Sequence, residues 1–111
     1  MNKLKVYIAS PYTVGDTAIN VKFQIDVANE LMDLGFTPHV PLYSHFQHMV
    51  HPRPYEDWIA LDYEWIDACD CLVRLGGKSP GGDLEVIYAK NIGIPVFYSI
   101  QDLVDYYDIN E

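Results

Sequence analysis

Two carboxylates and a pair of glycines are the residues of this chain whose types and spacing could do chemistry. Glu85 closes the stretch Lys78-Ser79-Pro80-Gly81-Gly82-Asp83-Leu84-Glu85, which follows the apolar run Cys71-Leu72-Val73-Arg74-Leu75. The run reads as a buried strand and the residues after the glycines read as a helix. The glycine loop therefore joins a strand to a helix N-terminus, the place where ligands bind in a parallel α/β sheet. Ser79 suits the N-cap and Pro80 the first helical position. Gly81 and Gly82 let another group come close to the backbone. The free N–H groups of that first turn would face an anion. Glu85 falls one turn into the helix, near the face that looks over the strand ends, where the helix N-terminus favours its ionised form. An ordinary strand-to-helix turn with a solvated glutamate has the same spacing.

Asp62 is the second carboxylate. It lies in the helical segment 55–68, whose core face the spacing assigns to Trp58, Leu61, Trp65 and Ala68. Flanked by large apolar groups, Asp62 is either a solvated edge residue or one aimed into a cleft; in a cleft its pKa is raised. Paired carboxylates suit glycosidic bond cleavage, one attacking the anomeric carbon and the other protonating the leaving group. A retaining pair stands about 5 Å apart. Tyr7, Ser10 and Tyr12, in and after the first strand, complete the candidate cleft. Tyr12 offers a stacking surface for a base.

The elements that position these groups alternate along the chain. Strands are expected near 4–9, 36–40, 71–75 and 94–98. Asp16 or Thr17 caps a first helix with the stripe Val21, Ile25, Ala28, Leu31 and Met32, and Gly35 stops it. Pro38 suits an edge strand. The helix after Gly82 has Leu84, Ile87, Tyr88 and Ala89 as its apolar positions. A terminal helix, 100–107, carries Asp102 and Asp105 and runs into an acidic tail with Asp108 and Glu111. Alternating strands and helices with short turns give one three-layer α/β domain over 1–111, a flavodoxin- or Rossmann-like parallel sheet of order 2-1-3-4. The loops after strands one and three then face each other across the switch point. Residues 41–55 are the least regular and hold His45, His48 and His51. Their spacing invites a metal reading, but no fourth ligand or second shell is evident, so no metal or cofactor is expected. A lid over the cleft is the simpler reading.

The 111 residues are half hydrophobic and carry a formal charge of −9. That charge argues against a nucleic-acid backbone or an anionic membrane as partner. No apolar run approaches the roughly 20 residues of a membrane helix. The start of the chain has no signal-peptide layout, so a cytoplasmic location is expected. Cys69 and Cys71 read as buried reduced thiols.

Three segments taken together resemble the nucleoside 2-deoxyribosyltransferase superfamily. They are Val6-Tyr7-Ile8-Ala9-Ser10-Pro11-Tyr12, Asp62 to Asp70 with its D-x-x-x-I-x-x-x-D spacing, and Ser79-Pro80-Gly81-Gly82-Asp83-Leu84-Glu85. The resemblance spans about Lys5 to Tyr98. It implies that Glu85 is the nucleophile of a covalent glycosyl intermediate and that Asp62 protonates the departing base. It implies that the loop after strand one holds sugar or base, and that copies assemble as homodimers or larger homo-oligomers. Ser79, where the transferases usually carry aspartate, points to the 2′-deoxynucleoside 5′-phosphate N-hydrolases, in which the serine binds the 5′-phosphate. Ser10-Pro11-Tyr12-Thr13-Val14 departs from the glycine- and arginine-containing loop of those hydrolases, and Asp83 adds a charge where a small residue is usual. Short phage and bacterial relatives of uncharacterised activity begin similarly. The Pro80-Gly81-Gly82 run is also similar to the loop of cytokinin-type phosphoribohydrolases, without the Gly-Thr that follows it there.

The expected function is cleavage or transfer at the N-glycosidic bond of a (deoxy)nucleoside 5′-monophosphate, with Tyr7, Ser10, Tyr12, Ser79, Gly81 and Gly82 binding the substrate. The alternative is a non-catalytic nucleotide-binding or sequestering module that uses the same cleft. Exposed aromatics among Tyr55, Trp58, Tyr63, Trp65 and Tyr88 would serve the assembly.

Overall fold

In the first strand, Val6 and Ile8 alternate with Tyr7 and Ala9, and all four are buried. A strand buried on both faces requires helices on both faces. The computed structural model describes residues 3–107 and has this arrangement. Four parallel strands, β1 (Lys5–Ala9), β2 (Thr37–His39), β3 (Cys71–Arg74) and β4 (Val96–Phe97), lie in the order β2-β1-β3-β4. The fold is a three-layer α/β sandwich. Helices α1 (Thr17–Asp33) and α5 (Ile100–Tyr107) cover one face, where Val6, Ile8, Leu31, Val73 and Leu103 share a core. Helices α3 (Tyr55–Ala68) and α4 (Pro80–Asn91) cover the other, where Tyr7, Ala9, Ile66, Leu72, Val86 and Ala89 meet. Strand parity thus turns Tyr7 toward the helices that carry Asp62 and Glu85.

The strands are shorter than the apolar runs that announce them, although ladder hydrogen bonds run on past their ends, from Leu75 N–H to the Ala9 carbonyl at 2.9 Å and from Leu72 N–H to the Pro95 carbonyl at 3.0 Å. β2 sits at the sheet edge, and Pro38 within it is opposite Val6. The proline has no N–H for a second neighbour, so the edge is where it costs least. Asp16 caps α1, its carboxylate accepting from the Ile19 N–H at 2.9 Å. Gly35 follows the helix with φ +93°, the left-handed conformation of a helix stop. Asp70, at the turn from α3 to β3, accepts from the Lys5 N–H at 2.7 Å and so ties that turn to the start of β1.

Residues 41–50 form a 3₁₀ turn, Pro41–Tyr43, and a short helix α2, Ser44–Val50, which has no buried residue. In α5, Asp102 and Asp105 are exposed, as a solvated face requires. Asp108 and Glu111 lie outside the described residues. No helix among the described residues is long and apolar enough to cross a membrane.

Three apolar stripes differ from their sequence reading. In α3 the inward face is Ile59, Asp62, Tyr63 and Ile66, with Leu61 and Trp65 exposed. Asp62 therefore belongs to the inner stripe itself, and the large apolar residues flank it on the solvent side. In α4 the inward face is Gly82, Glu85, Val86 and Ala89, and Leu84 and Ile87 point outward. In α1, Met32 is exposed while Gln24 is fully buried. In each helix a polar residue occupies a position that an amphipathicity count reserves for an apolar one.

The revised face of α3 has a direct consequence. Ile66→Ala should destabilise the protein by about 2–5 kcal/mol, because it empties a fully buried site. Leu61→Ala, at an exposed site, should cost less than about 1 kcal/mol. Urea unfolding of both variants checks this; equal losses would put the core on the wrong side of the helix.

Candidate functional site

The site is built at the C-terminal ends of β1 and β3. Ser10 and Tyr12 follow β1, Ser79, Gly81 and Gly82 open α4, and Asp62 reaches in from α3. These residues and Glu85 line one chamber of about 270 Å³. Tyr7 lies beneath it, fully buried, and its hydroxyl donates to Glu85 Oε2 at 2.6 Å. The carboxyls of Glu85 and Asp62 are themselves within hydrogen-bonding range. All eight residues singled out in the sequence thus converge on one place.

The electrostatics are set by burial. Burial pushes the Glu85 carboxyl up to about 8, against the hydrogen bond from Tyr7, and the neighbouring Asp62 adds to the rise. Burial raises Asp62 to about 6, and the hydrogen bond with Glu85 opposes that rise. The sequence reading, in which the helix N-terminus keeps Glu85 ionised, is corrected: desolvation outweighs the helix field at this depth. Near neutral pH the pair holds one proton, since charging both buried carboxyls is opposed by burial and by their mutual repulsion. Tyr7 stays a neutral donor, its pKa raised well above the ordinary value by burial and by Glu85.

The helix N-terminus is also more occupied than the spacing suggests. The Ser79 Oγ accepts from the Gly82 N–H at 2.9 Å, as an N-cap does, and the Ser79 carbonyl accepts from the Asp83 N–H at 2.9 Å. Pro80 has no N–H. The Gly81 N–H is left as the donor of this turn without a protein acceptor among the described residues, beside the free proton of the Ser79 hydroxyl. Gly81 has open space on its Cβ side. At Gly82 a Cβ would come within 2.9 Å of Arg74 Nε and 3.0 Å of Ser79 Oγ, so glycine is required there by packing. The strained turn lies earlier: Gly76 has φ +80°, and a Cβ there would meet Pro11 Cδ at 2.7 Å. Through that contact the loop after β3 rests on the loop after β1.

Two positioning residues escape a reading of the sequence. Gln24 is buried in α1, where its amide donates to Ser10 Oγ at 2.8 Å and to the Ile8 carbonyl at 3.2 Å, and accepts from the Leu42 N–H at 2.9 Å. It holds Ser10, the end of β1 and the 3₁₀ turn in one arrangement. Arg74, at the end of β3, donates to the carbonyls of Leu75 at 2.7 Å and Gly77 at 2.9 Å, and pairs with Asp83 at 3.2 Å. Asp83 therefore has its charge matched outside the chamber, and the guanidinium lowers the Glu85 pKa slightly from below the turn. The available signals were a glutamine inside an apolar helical stripe and an arginine inside an apolar strand.

A second chamber of about 540 Å³ adjoins the first, with Trp58, His48, Arg53 and Ser44 added to the shared walls of Tyr12, Pro41, Leu42, Tyr55 and Ile59. Asp62 lines both chambers. The histidines of the lid serve hydrogen bonds: Tyr12 Oη is 2.6 Å from His45 Nδ1, and Trp58 Nε1 donates to His48 Nδ1 at 2.9 Å. His51 is exposed. Among the described residues no three His, Cys, Asp or Glu side chains gather as a metal site. His39 stacks on Trp65 with ring centres 4.3 Å apart, and burial lowers its pKa.

A carboxyl pair held protonated by burial binds protons more tightly in the folded than in the unfolded chain. Stability therefore falls as pH rises from the ordinary carboxylate range, near 4, through about 8. Glu85→Gln removes much of that pH dependence: its carbonyl can accept from Tyr7 and its amide can donate to Asp62. Its melting temperature, relative to wild type, should rise steadily from pH 5 to pH 9. A difference that is constant with pH, or that shrinks, would contradict the buried protonated pair.

Comparison with known proteins yields a family but no activity. No curated protein matches the chain. One family model, described as a domain of unknown function, DUF7768, matches residues 4–99, which include every residue of the site. The chain belongs to the DUF7768 family.

Proposed function

We propose that this cleft cleaves the N-glycosidic bond of a (deoxy)nucleoside 5′-monophosphate, by hydrolysis or by transfer of the sugar. The observation that carries the reading is the pairing of Glu85 and Asp62 on one chamber, with the Tyr7 hydroxyl donating to Glu85 from beneath. Retaining carboxyl pairs stand about 5 Å apart and inverting pairs roughly 6.5–9.5 Å, to admit a water; carboxyls coupled as closely as Glu85 and Asp62 suit a nucleophile with its acid. One proton on the pair is the ionisation that this chemistry needs. With that proton on Asp62, Glu85 attacks C1′, the glycosidic electrons pass to the base nitrogen, and Asp62 protonates it. Water or an acceptor base then attacks C1′ and releases Glu85, with Asp62 as base. The Ser79 hydroxyl and the Gly81 N–H hold the phosphate at the α4 N-terminus. The aromatic chamber, joined to the first at Asp62, receives the base. This reading extends the resemblance to the nucleoside 2-deoxyribosyltransferase superfamily.

The second reading, a nucleotide-binding module without turnover, has its own support. Burial raises the Glu85 carboxyl most, and Glu85 is the residue that must be ionised to attack. A cytoplasmic setting fits both readings, since both cysteines are free and buried. The assembly belongs to the proposal as well. Tyr63 and Tyr88 stack on each other at 4.2 Å and Trp58 packs on His48, whereas Phe46, Met49, Val50 and Tyr55 are exposed around the lid. A second copy covering this lid would close the cleft.

A panel of nucleosides and their 5′-monophosphates, scored for free base, tests the reaction. Wild type should release base from at least one deoxynucleoside monophosphate, and Glu85→Gln should lose at least about 10³-fold while still binding it. Ser79→Ala removes a helix cap, which costs about 1 kcal/mol, so its test is a ratio: kcat/KM for the monophosphate should fall far more than for the unphosphorylated nucleoside. Binding without release from any member favours the module; a fully active Glu85→Gln rejects the assigned nucleophile. Light scattering at tens of micromolar should show a dimer or larger species, and a strict monomer would remove the second copy from the account.

A further inference from the structure

We propose that His48 reads the far edge of the leaving base, and that the site selects bases carrying a carbonyl oxygen there over bases carrying an amino group. The inference rests on the N-glycosidase reading above. Its basis is a tautomer fixed by two neighbours. Trp58 Nε1 donates to His48 Nδ1 at 2.9 Å, and the backbone N–H of Arg53 donates to the same atom at 3.2 Å. Both groups are donors only. A neutral imidazole has one donor and one acceptor nitrogen. With Nδ1 accepting from both, the ring proton sits on Nε2, and His48, a wall residue of the larger chamber, keeps that N–H to donate.

The placement of that donor follows from α3. Trp58 and Asp62 are one helical turn apart on the same side of the helix, about 6 Å along its axis. His48 is held by the first of these, while the acid that meets the glycosidic nitrogen is the second. A flat base lying along the aromatic wall with its sugar end at Asp62 therefore extends its other edge toward His48. The Tyr12 hydroxyl is engaged by His45 at 2.6 Å. Arg53, beside His48 in the wall, is likewise only a donor, and the Ser44 hydroxyl can serve either way. A carbonyl oxygen at this edge is matched. An exocyclic amino group would set donor against donor at His48 in a half-buried place and leave the imidazole N–H unpaired, and sites built around such a hydrogen bond discriminate strongly.

The test uses two pairs of 2′-deoxynucleoside 5′-monophosphates of equal ring size, hypoxanthine against adenine and uracil against cytosine. Wild type should favour the carbonyl member of each pair by at least about tenfold in kcat/KM. His48→Phe, which keeps a ring but no donor, should bring each ratio to within about twofold. His48→Gln, whose amide can accept from Trp58 and still donate, should retain most of the preference. These ratios do not depend on the fraction of folded protein. Equal rates in wild type, an amino preference, or an unchanged preference in His48→Phe would overturn the inference and leave the N-glycosidase reading intact. If no nucleotide releases base, that reading fails, and calorimetric affinities of the same four nucleotides for wild type and His48→Phe decide the inference: the same ratios support it, and equal affinities overturn it.

Discussion

The hydrogen bond from Tyr7 to Glu85 Oε2 is the interaction on which the rest of the site depends. It joins the centre of β1 to the second turn of α4 at the buried floor of the chamber. A buried carboxyl without a partner is expensive, and a buried phenol without one is nearly so. Together they are satisfied, and no buried side-chain polar atom among the described residues is left without a partner. The bond also fixes which way the Glu85 carboxyl turns, and so where Asp62 must stand to share its proton. Two layers of the fold are thereby registered on a pair of oxygen atoms.

The charge of the molecule sharpens the point. With a formal charge of −9, the chain has little long-range attraction for a phosphate. Any anion site has to be local, made of the Ser79 hydroxyl, the Gly81 N–H and the field of the α4 N-terminus, with Arg74 packed under the turn. The guanidinium does not face the chamber. Its hydrogen bonds to Leu75 and Gly77 and its pairing with Asp83 hold the loop that carries Ser79, so it works as a strut for the turn. Burial of the carboxyl pair acts in the same direction: one shared proton removes a negative charge from the place where a phosphate would otherwise be repelled.

Much of this was legible in the chain. The alternation of strands and helices gives the sheet order, because parallel strands with short turns leave few topologies, and the order in turn brings the loop after β1 to face the loop after β3. The Ser79-Pro80 cap places the start of α4 to within a residue. What the sequence hides is polar burial. Gln24, Asp62 and Glu85 sit on inner faces of their helices, and a reading that assigns the core by apolar spacing turns α3 and α4 toward solvent by part of a turn. The ionisation of Glu85 is hidden for the same reason: a helix N-terminus is visible in a sequence and the depth of a carboxyl is not. The lid is the other case. The spacing of His45, His48 and His51 invites a metal, whereas His45 and His48 answer to Tyr12 and Trp58, partners distant in sequence.

Carbon-13 NMR of the side-chain carboxyls, assigned through Glu85→Gln and Asp62→Asn, measures the central claim most directly. The account predicts two coupled titrations, both above the ordinary carboxylate range, with one proton held by the pair at neutral pH and the Glu85 signal moved by Tyr7→Phe. Two independent titrations near pH 4, unaffected by each other's removal, would contradict it.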